Sequence, residues 1–417
     1  MTTRTVAALG SVMLAVGVMV RLRHASIGGA YLLAASIIGW WYSRACLKHL
    51  CYMRDFERTR AFVGDSIRLK VSIENRKPLP VIALRCEDEV PDKNSLGSLP
   101  VVSHYKPARA ILQNDVYIGC FQRVEREFKF DCMSRGVFQF GPVSLRATDP
   151  MGMEEARVTL DTVDTLVVYP RLLALVGLDL PPRNPSGGTP DRGWTNPDPL
   201  EIIGIRPYFP GTPLNQVAWK ATAKTSSLKA KMTLPSFQSQ VIVALNLNTS
   251  EHVWDGIDKE RLECAVCICA SVCNELLCRE IPFGFASNCP GKNARQHLFV
   301  APGLSNQHLR AILDYLARVF MPWGQFGETL CEIAEKTPAS TEILAIMPYP
   351  SLEDWVQLKR LQSHGYTTSV IVLKASPDHG EFYRSIPVYR PVNPVDWRSG
   401  EVIDFERLGP ERASVFV

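Results

Sequence analysis

Residues 201–231, EIIGIRPYFPGTPLNQVAWKATAKTSSLKAK, separate two parts of this chain that have different sequence patterns. A stretch rich in Pro and Gly precedes them, an amphipathic helical pattern fills their middle, and a continuous apolar strand pattern follows them. Short strand patterns dominate the chain before this stretch, and strands alternate with helices after it. The pattern therefore predicts a chain of more than one domain.

The length and composition predict a globular protein of about two or three domains. The chain has 417 residues, of which 46% are hydrophobic and 21% are charged. These percentages are typical of globular proteins, so we do not expect most of the chain to be disordered. The net charge of +4 is small, and Lys and Arg are scattered among acidic residues. A nucleic-acid-binding protein usually concentrates its basic residues on one face, so we expect no nucleic-acid partner.

The 12 cysteines predict free thiols in a reducing compartment. Disulfide frameworks belong to small secreted domains that lack a core, and most of these cysteines lie in apolar runs such as residues 265–273, AVCICASVC. On a helix, Cys264, Cys267 and Cys278 would share one face, and Cys269 and Cys273 would lie opposite. They could not converge on one metal ion, so we expect structural thiols.

Two apolar runs at the N-terminus predict a transmembrane hairpin over residues 1–43. Residues 5–20 are uncharged, residues 21–24 are Arg-Leu-Arg-His, and residues 25–43 are uncharged again and end in an aromatic group. A spanning helix needs about 20 apolar residues, and aromatic residues often lie at the membrane interface. The alternatives are a signal-peptide core for the first run and a buried helical hairpin.

Positive charges near these runs predict their orientation. The loop between them carries two arginines, whereas more lie on the terminal sides: Arg4, Arg44, Lys48, Arg54, Arg58 and Arg60. Since positive residues favour the inner side, we expect both termini and the soluble domains to be cytoplasmic, with the lipid bilayer as a partner.

The next segment, residues 44–170, has the period of two that is typical of strands. Residues 67–74 alternate apolar and polar side chains, and residues 81–90, 124–132, 136–146 and 162–169 are further strand candidates. Several short strands without helices predict an antiparallel β-sandwich. Residues 171–200 are rich in Pro and Gly, which predicts a linker.

The remaining residues, 201–417, predict an α/β domain. Apolar strand patterns alternate with helical patterns after residue 240. The strand candidates are residues 241–247, 282–287, 342–347 and 368–373, and the helix candidates are residues 257–278, 305–320 and 352–363. This alternation predicts a mostly parallel sheet with helices on both faces.

The order of these segments resembles a bacterial family of membrane proteins, the domain-of-unknown-function family fifty-eight. Tyr208, Gly211, Trp219 and Lys220 match its signature, and residues 134–153, SRGVFQFGPVSLRATDPMGM, resemble the end of its sandwich region. The family's Gly-Asp-Pro turn is Gly-Thr-Pro here, and Asn215 replaces its arginine. The resemblance implies a von Willebrand factor A-like domain at residues 201–417, an association with MoxR-type AAA ATPases, and a bacterial inner-membrane location.

The resemblance also implies where a metal would bind. A von Willebrand factor A domain often holds a divalent ion through Asp-x-Ser-x-Ser after its first strand, and Mg²⁺ prefers such oxygen ligands. The matching positions here are Asn246, Asn248 and Ser250, with Ser305 in place of a distal threonine. The strand ending at Met347 is followed by Pro and Tyr rather than an acid. We therefore expect a degenerate site without a metal or other cofactor.

The signature stretch also contains candidate interaction residues. Lys220, Lys224, Lys229 and Lys231 form a basic stripe near Trp219. The stripe is typical of a solvated helix face, or of a docking face for an acidic partner or anionic headgroups. The residues that we expect to interact are Arg206, Tyr208, Gly211, Trp219, Lys220 and Lys224.

The sequence lacks the spacing of a phosphate loop, a nucleophile elbow or a zinc-protease helix. Our leading hypothesis is therefore a non-catalytic, membrane-anchored adaptor that works with a MoxR-type ATPase on envelope or membrane complexes. The alternative is a hydrolase or metal-dependent adhesion domain that uses the carboxyl edge of the sheet. A purely structural envelope component is a third hypothesis.

Overall fold

The computed structural model describes residues 3–152, 154–180, 197–209, 214–235, 240–250, 256–290, 297–322, 324–374 and 380–409. The chain divides into two compact units, Met1–Arg171 and Leu172–Val417. Of the predicted linker at residues 171–200, residues 181–196 lie outside this description.

The first unit begins with two antiparallel helices, α1 (Thr3–Met19) and α2 (Arg23–Ala45). Glycines allow the two backbones to approach closely. A Cβ at Gly17 would lie 2.5 Å from the Ser26 nitrogen, and a Cβ at Gly29 would lie 2.5 Å from the Leu14 nitrogen. Any larger side chain at these two positions would therefore force the helices apart.

The predicted transmembrane hairpin at residues 1–43 is wrong. No helix in the described part of the chain is both long enough and apolar enough to cross a membrane. Helix α1 has 17 residues, about 26 Å at 1.5 Å per residue, which is shorter than the roughly 30 Å hydrocarbon core. Helix α2 has 23 residues, but it includes Arg23 and Arg44 and several Gly, Ser, Tyr and Trp residues. The inner-membrane location that we inferred from these spans is wrong for the same reason.

One end of the helical hairpin packs on the strands that follow it. Thr3 Oγ1 and Ser43 Oγ both donate to Glu154 Oε2, at 3.1 and 3.3 Å. The Tyr42 hydroxyl donates to the Pro80 carbonyl at 3.0 Å and accepts from the Ile82 N–H at 3.2 Å. These contacts tie both helices to the β-rich part of the unit.

The strands of the first unit form three sheets, in the orders β1-β3-β8-β5, β11-β10-β4-β7-β6 and β2-β12-β9. Their bounds are β1 Leu50–Phe56, β2 Arg60–Phe62, β3 Ser66–Asn75, β4 Val81–Pro91, β5 Leu96–Gly97, β6 Val101–Ser103, β7 Arg109–Ile118, β8 Arg123–Cys132, β9 Gly136–Phe140, β10 Val143–Thr148, β11 Glu155–Leu160 and β12 Asp164–Tyr169. All pairs are antiparallel except β2 with β12. The predicted sandwich is thus divided among three sheets, one of which includes a parallel pair.

Alternating side chains build this core. In β3, Ile67, Leu69, Val71 and Ile73 are buried, while Arg68 on the other face is exposed. The period of two places the apolar set on one face because successive strand residues point in opposite directions. The burial of this set fixes the register of β3 between β1 and β8.

The second unit contains an eight-stranded mixed sheet, in the order β13-β22-β21-β20-β19-β16-β17-β18. Its strands are β13 Ala174–Val176, β16 Val241–Leu245, β17 Phe283–Pro290, β18 His297–Gly303, β19 Glu342–Met347, β20 Thr367–Val372, β21 Val388–Pro391 and β22 Val402–Leu408. Strands β17, β16, β19, β20 and β21 are mutually parallel. Strands β18 and β22 return antiparallel at the two sides of this group, and β13 pairs parallel with β22, so the sheet is mixed with most of its pairs parallel.

Four helices of the second unit accompany the eight-stranded sheet. Their bounds are α4 Lys259–Cys278, α5 Asn306–Leu316, α6 Phe326–Lys336 and α7 Leu352–Ser363. Helices α6 and α7 pack together and cover one face of the sheet, where Trp355, Phe326 and Leu330 join Ile242 and Ala345 in one core. Strand β16 and the residues of β19 after Glu342 are entirely apolar and buried, as expected for parallel strands that are covered by protein.

Residues 201–231 belong to an antiparallel hairpin that precedes strand β16 in the chain. Strand β14 (Pro197–Pro207) pairs with β15 (Lys229–Pro235), and a 3₁₀ turn at Leu214–Gln216 and the short helix α3 (Trp219–Thr225) lie between them. We call β14, α3, β15 and the residues between them the signature hairpin. Strands β14 and β15 form a two-stranded sheet, and neither strand pairs with a strand of the eight-stranded sheet.

Candidate functional site

A buried polar cluster lies where the parallel strands end. Asn246 follows β16, Asn288 is near the end of β17, and Asp354 is in the first turn of α7. All three are buried, with at most 4% of each residue exposed. Asn246 Nδ2 donates to Asp354 Oδ2 at 3.3 Å, and Asn288 Nδ2 donates to Asn246 Oδ1 at 3.1 Å. The cluster therefore joins two strand ends to the start of a helix.

The hydrogen bonds of Asn246 are directed into the protein. Its Oδ1 also accepts from the Asn248 N–H at 2.9 Å, and Asn288 Oδ1 accepts from the Leu247 N–H at 2.9 Å. The two asparagines thus hold the loop after β16 in place. A metal ion at Asn246 would have to replace these bonds, and a neutral amide offsets little of the dehydration cost of Mg²⁺.

Asp354 closes the cluster from the helix side. Its Oδ2 also accepts from the Ser351 N–H at 3.1 Å, while Ser351 Oγ accepts from the Asp354 N–H at 3.2 Å, which completes a capping box. Burial raises the pKa of Asp354, and its hydrogen bonds with Ser351 act in the opposite direction. The carboxyl group is therefore easier to protonate in the folded chain than in water.

We expect the stability of the wild-type chain, relative to an Asp354→Asn variant, to fall as the pH rises. The raised pKa means that the folded chain binds the Asp354 proton more tightly than the unfolded chain does. This contribution is complete below the ordinary Asp pKa of about 3.9 and is lost as the pH rises through the raised folded value. Urea unfolding of both proteins at a series of pH values measures the difference. A difference that is constant with pH, or that favours the wild type at higher pH, would contradict the assignment.

Of the four positions of the degenerate metal site, Asn246 and Asn248 are hydrogen-bonded to each other, whereas Ser250 and Ser305 bond to other groups. Ser250 Oγ donates to the Gly256 carbonyl at 3.2 Å, in the loop that leads to α4. Ser305 caps α5, since its Oγ accepts from the His308 N–H at 3.0 Å. Strand β18 runs antiparallel to β17, and its last residue, Gly303, pairs with Phe283 at the start of β17. Ser305 therefore lies beyond the amino ends of the parallel strands, whereas Asn246 lies at their carboxyl ends. Among the residues that the structure describes, no group of three His, Cys, Asp or Glu side chains has the geometry of a metal site.

The cysteines of α4 differ in their exposure. All 12 cysteines of the chain are free thiols. Cys267, Cys269 and Cys273 are buried, whereas Cys264 is partly exposed and Cys278 is exposed. Burial raises the pKa of Cys264 to about 12 and raises the pKa of Cys269 as well. The raised pKa values keep Cys264 and Cys269 protonated near neutral pH, and a protonated thiol is a poor metal ligand.

The signature hairpin presents the other candidate site. Its strands are held by backbone bonds from Tyr208 N–H to the Leu228 carbonyl at 3.0 Å and from Ala218 N–H to the Lys229 carbonyl at 2.9 Å. Among the hairpin residues whose burial is described, Val217, Ala218 and Ala230 are buried.

Exposed apolar side chains cover the outside of the hairpin. Leu214 is 71% exposed and Trp219 is 64% exposed, and Ile205, Phe209 and Leu228 are more than half exposed as well. Arg206, Lys220 and Lys224 are exposed among them, and Tyr208 is half-buried. Gly211 lies outside the described residues. Apart from Gly211, the interaction residues expected from the sequence are therefore accessible on one small element.

The hairpin carries more positive than negative residues. Between Pro197 and Pro235 it contains five positive residues, Arg206, Lys220, Lys224, Lys229 and Lys231, and two acidic residues, Asp198 and Glu201. A surface that combines exposed aromatic side chains with a net positive charge is typical of a recognition surface rather than of a solvated face.

Comparisons with known proteins give one curated relative. No protein-family model matches the chain. The "Uncharacterized protein YeaD" of Bacillus subtilis (strain 168) is 22% identical over 265 residues, which are 63% of this chain and 61% of that protein. The match thus spans less than two thirds of the relative's own length. Its name assigns no activity.

Solved structures match only part of the chain. A cohesin module from Clostridium perfringens covers 29% of this chain and 95% of the module, with 9% identity and a TM-score of 0.21. The CARDB domain of a Pyrococcus furiosus protein covers 29% of this chain and 96% of the domain, with 12% identity and a TM-score of 0.19. At TM-scores this low, the matches carry no argument about fold or function.

Proposed function

We propose that this chain is a non-catalytic adaptor that binds a protein partner through the signature hairpin. The observation that carries the proposal is the combination of exposed apolar side chains and a net positive charge on one small element. Trp219 and Leu214 lie close in sequence to Lys220 and Lys224, and all four side chains are exposed. Tryptophan is a common energetic centre of interfaces, and the lysines add electrostatic selectivity.

The chemistry of the hairpin selects an acidic partner with apolar side chains at its centre. Positive charge on one side and negative charge on the other speed up association and reject partners of the wrong sign. The apolar side chains supply the favourable burial, about 25 cal/mol for each Å² removed from water. Both properties together favour a defined protein surface.

A MoxR-type AAA ATPase is the partner that the sequence resemblance implies. The resemblance rests in part on Tyr208, Trp219 and Lys220, which belong to the hairpin itself. The same residues therefore motivate both the choice of partner and the choice of docking surface. We accordingly propose that the chain works with such an ATPase in the assembly or maintenance of a larger complex.

The adaptor proposal is preferred over a hydrolase or a metal-dependent adhesion domain because of the hydrogen bonds at the carboxyl edge. Asn246 and Asn288 bond to each other, to Asp354 and to the local backbone. Side chains engaged in this way support the fold, whereas a catalytic or ligand-binding side chain must direct a polar atom at the reacting or bound group.

We expect hairpin variants to lose affinity for the purified MoxR-type ATPase of the same organism. Trp219→Ala and the double variant Lys220→Glu/Lys224→Glu should each raise the Kd by about tenfold or more, because they remove an exposed anchor or reverse the charge. Isothermal titration calorimetry with the full chain measures this.

Matched controls are available on other surfaces of the same unit. Phe320→Ala removes an exposed aromatic side chain, and Lys259→Glu reverses an exposed positive charge. Both should leave the Kd within about twofold of the wild type. If the wild-type chain does not bind the ATPase while it is folded, or if the controls weaken binding as much as the hairpin variants do, the proposal fails.

A further inference from the structure

A second surface of the same unit complements the signature hairpin. Helices α6 and α7 border a groove of about 640 Å³ that contains four glutamates and exposed apolar side chains. We call it the α6–α7 groove. The glutamates are Glu328, Glu332 and Glu335 of α6 and Glu353 of α7.

Most of the negative charge of the groove faces solvent. Glu335 and Glu353 are exposed. Glu328 is also largely exposed, and it contacts His297 at 3.1 Å. Glu332 forms an ion pair with Lys336 one turn away, so that one of the four charges is already compensated. The groove therefore has a net negative field at its surface.

The groove also has apolar side chains on its α7 side. Leu352 is 59% exposed and Val356 is 51% exposed, and both line the groove one helical turn apart. Neighbouring side chains of the same helices, Trp355 and Leu330, are buried in the core, which holds the groove in a fixed shape. Exposed apolar residues on such a support are suited to receive apolar side chains from another element.

Helix α3 is short enough to lie along α6. It has seven residues and is about 10 Å long, and Lys220 and Lys224 are about 6 Å apart along its axis. Helix α6 has eleven residues and is about 16 Å long, and Glu328 and Glu335 are about 10 Å apart along its axis. A short helix can therefore lie along α6, with its lysines beside the glutamates and Trp219 or Leu214 directed at Leu352 and Val356. This is the helix-in-groove mode of recognition.

We propose that the α6–α7 groove receives the signature hairpin of a second copy of this chain. The two surfaces differ, so the contact is heterologous and its repetition gives a closed ring or an open filament. The inference uses the hairpin of the proposed function but does not depend on the ATPase. Since one hairpin cannot occupy both sites, self-association and binding of the acidic partner exclude each other.

Charge-reversal variants test the contact with the purified chain alone. The hairpin variant is Lys220→Glu/Lys224→Glu, the groove variant is Glu335→Lys/Glu353→Lys, and Lys259→Glu is the control. By sedimentation velocity, we expect the wild type and the control to associate as their concentration rises and to dissociate at high salt. Each reversal variant should associate at least about tenfold more weakly.

A mixture of the two variants provides the decisive measurement. The negative hairpin of one variant then meets the positive groove of the other, while the second variant offers a native hairpin to the native groove of the first. We expect neither variant to associate alone and the equimolar mixture to associate.

The proposal is overturned if the wild type stays monomeric, if the reversal variants associate as the wild type does, or if the mixture of the two variants fails to associate. Circular dichroism confirms that each variant is folded. Because no ATPase is present, these outcomes do not depend on the outcome of the titration calorimetry.

Discussion

The Arg54→Met variant is expected to lower the free energy of unfolding of the first unit by about 3–5 kcal/mol. Arg54 lies in β1, and its side chain and that of Asp88 in β4 are each only 1% exposed. Arg54 Nε and Nη2 donate to Asp88 at 2.7 and 3.0 Å. Loss of the guanidinium would leave the Asp88 carboxylate buried without its counter-charge.

Arg54 also connects all three sheets of this unit. Its guanidinium forms an ion pair with Asp164 in β12 and donates to the Phe140 carbonyl at the end of β9 at 3.2 Å. The Tyr52 hydroxyl donates to Asp88 at 3.0 Å, and burial raises the pKa of Tyr52 far above its ordinary value. From β1, one side chain therefore satisfies acceptors of β4, β9 and β12, where each bond to a charged group contributes about 1.5–3 kcal/mol.

The matched control for this variant is Arg85→Met. Arg85 forms an ion pair with Asp115 at 2.9 Å, but the two side chains are 52% and 58% exposed. An exposed pair contributes about 1 kcal/mol or less. Urea unfolding monitored by circular dichroism compares the two variants. If Arg54→Met costs no more than Arg85→Met, the buried cluster does not hold the sheets together.

Arg54 also illustrates a limit of the sequence. From the sequence alone it is one of several positive residues after an apolar run, and we counted it among the charges that orient a membrane hairpin. Its partners Asp88 and Asp164 lie 34 and 110 positions away. Nothing local marks these residues as partners, because the three strands belong to different sheets and only the packing of the sheets brings them together.

Local periodicity did predict many elements of the second unit. The helical pattern at residues 352–363 is observed as α7, Leu352–Ser363, and the strand pattern at residues 342–347 is observed as β19, Glu342–Met347. These segments are strongly periodic and have clear ends, such as the Ser351 cap. Helix α6, which lines the groove, was not predicted, since its eleven residues follow a Gly- and Pro-containing stretch.

The candidate site was harder to predict than the elements. Asn246 was singled out, but Asn288 and Asp354, which bond to it, were not. Ser305 was grouped with Asn246 because the family resemblance put it in place of a distal threonine at the carboxyl edge of the sheet. The grouping fails because β18 is antiparallel, and strand direction is a property of the sheet and not of the strand sequence.

The Asp354→Ala variant is expected to lower the free energy of unfolding of the second unit by about 2–4 kcal/mol. It removes the acceptor of Asn246 Nδ2, which is buried, and an unsatisfied buried donor costs about 1–3 kcal/mol. It also removes the acceptor of the Ser351 N–H, and the loss of a helix cap costs about 1 kcal/mol. Urea unfolding followed by tryptophan fluorescence is suitable because Trp355, the next residue, is fully buried.

The first turn of α7 supplies the control. Glu353 is an exposed acid beside Asp354, so Glu353→Ala loses the same charge at the same helix end. It should cost only about 0.3–1 kcal/mol, since it changes no buried hydrogen bond.

A loss for Asp354→Ala that is no larger than for Glu353→Ala would mean that Asn246 finds another acceptor. The amides at the carboxyl edge could then turn toward a ligand, which would weaken the argument for an adaptor. A loss in the expected range would instead mean that this edge is part of the support beneath the α6–α7 groove, because Asp354 fixes the start of the helix that carries Leu352, Glu353 and Val356.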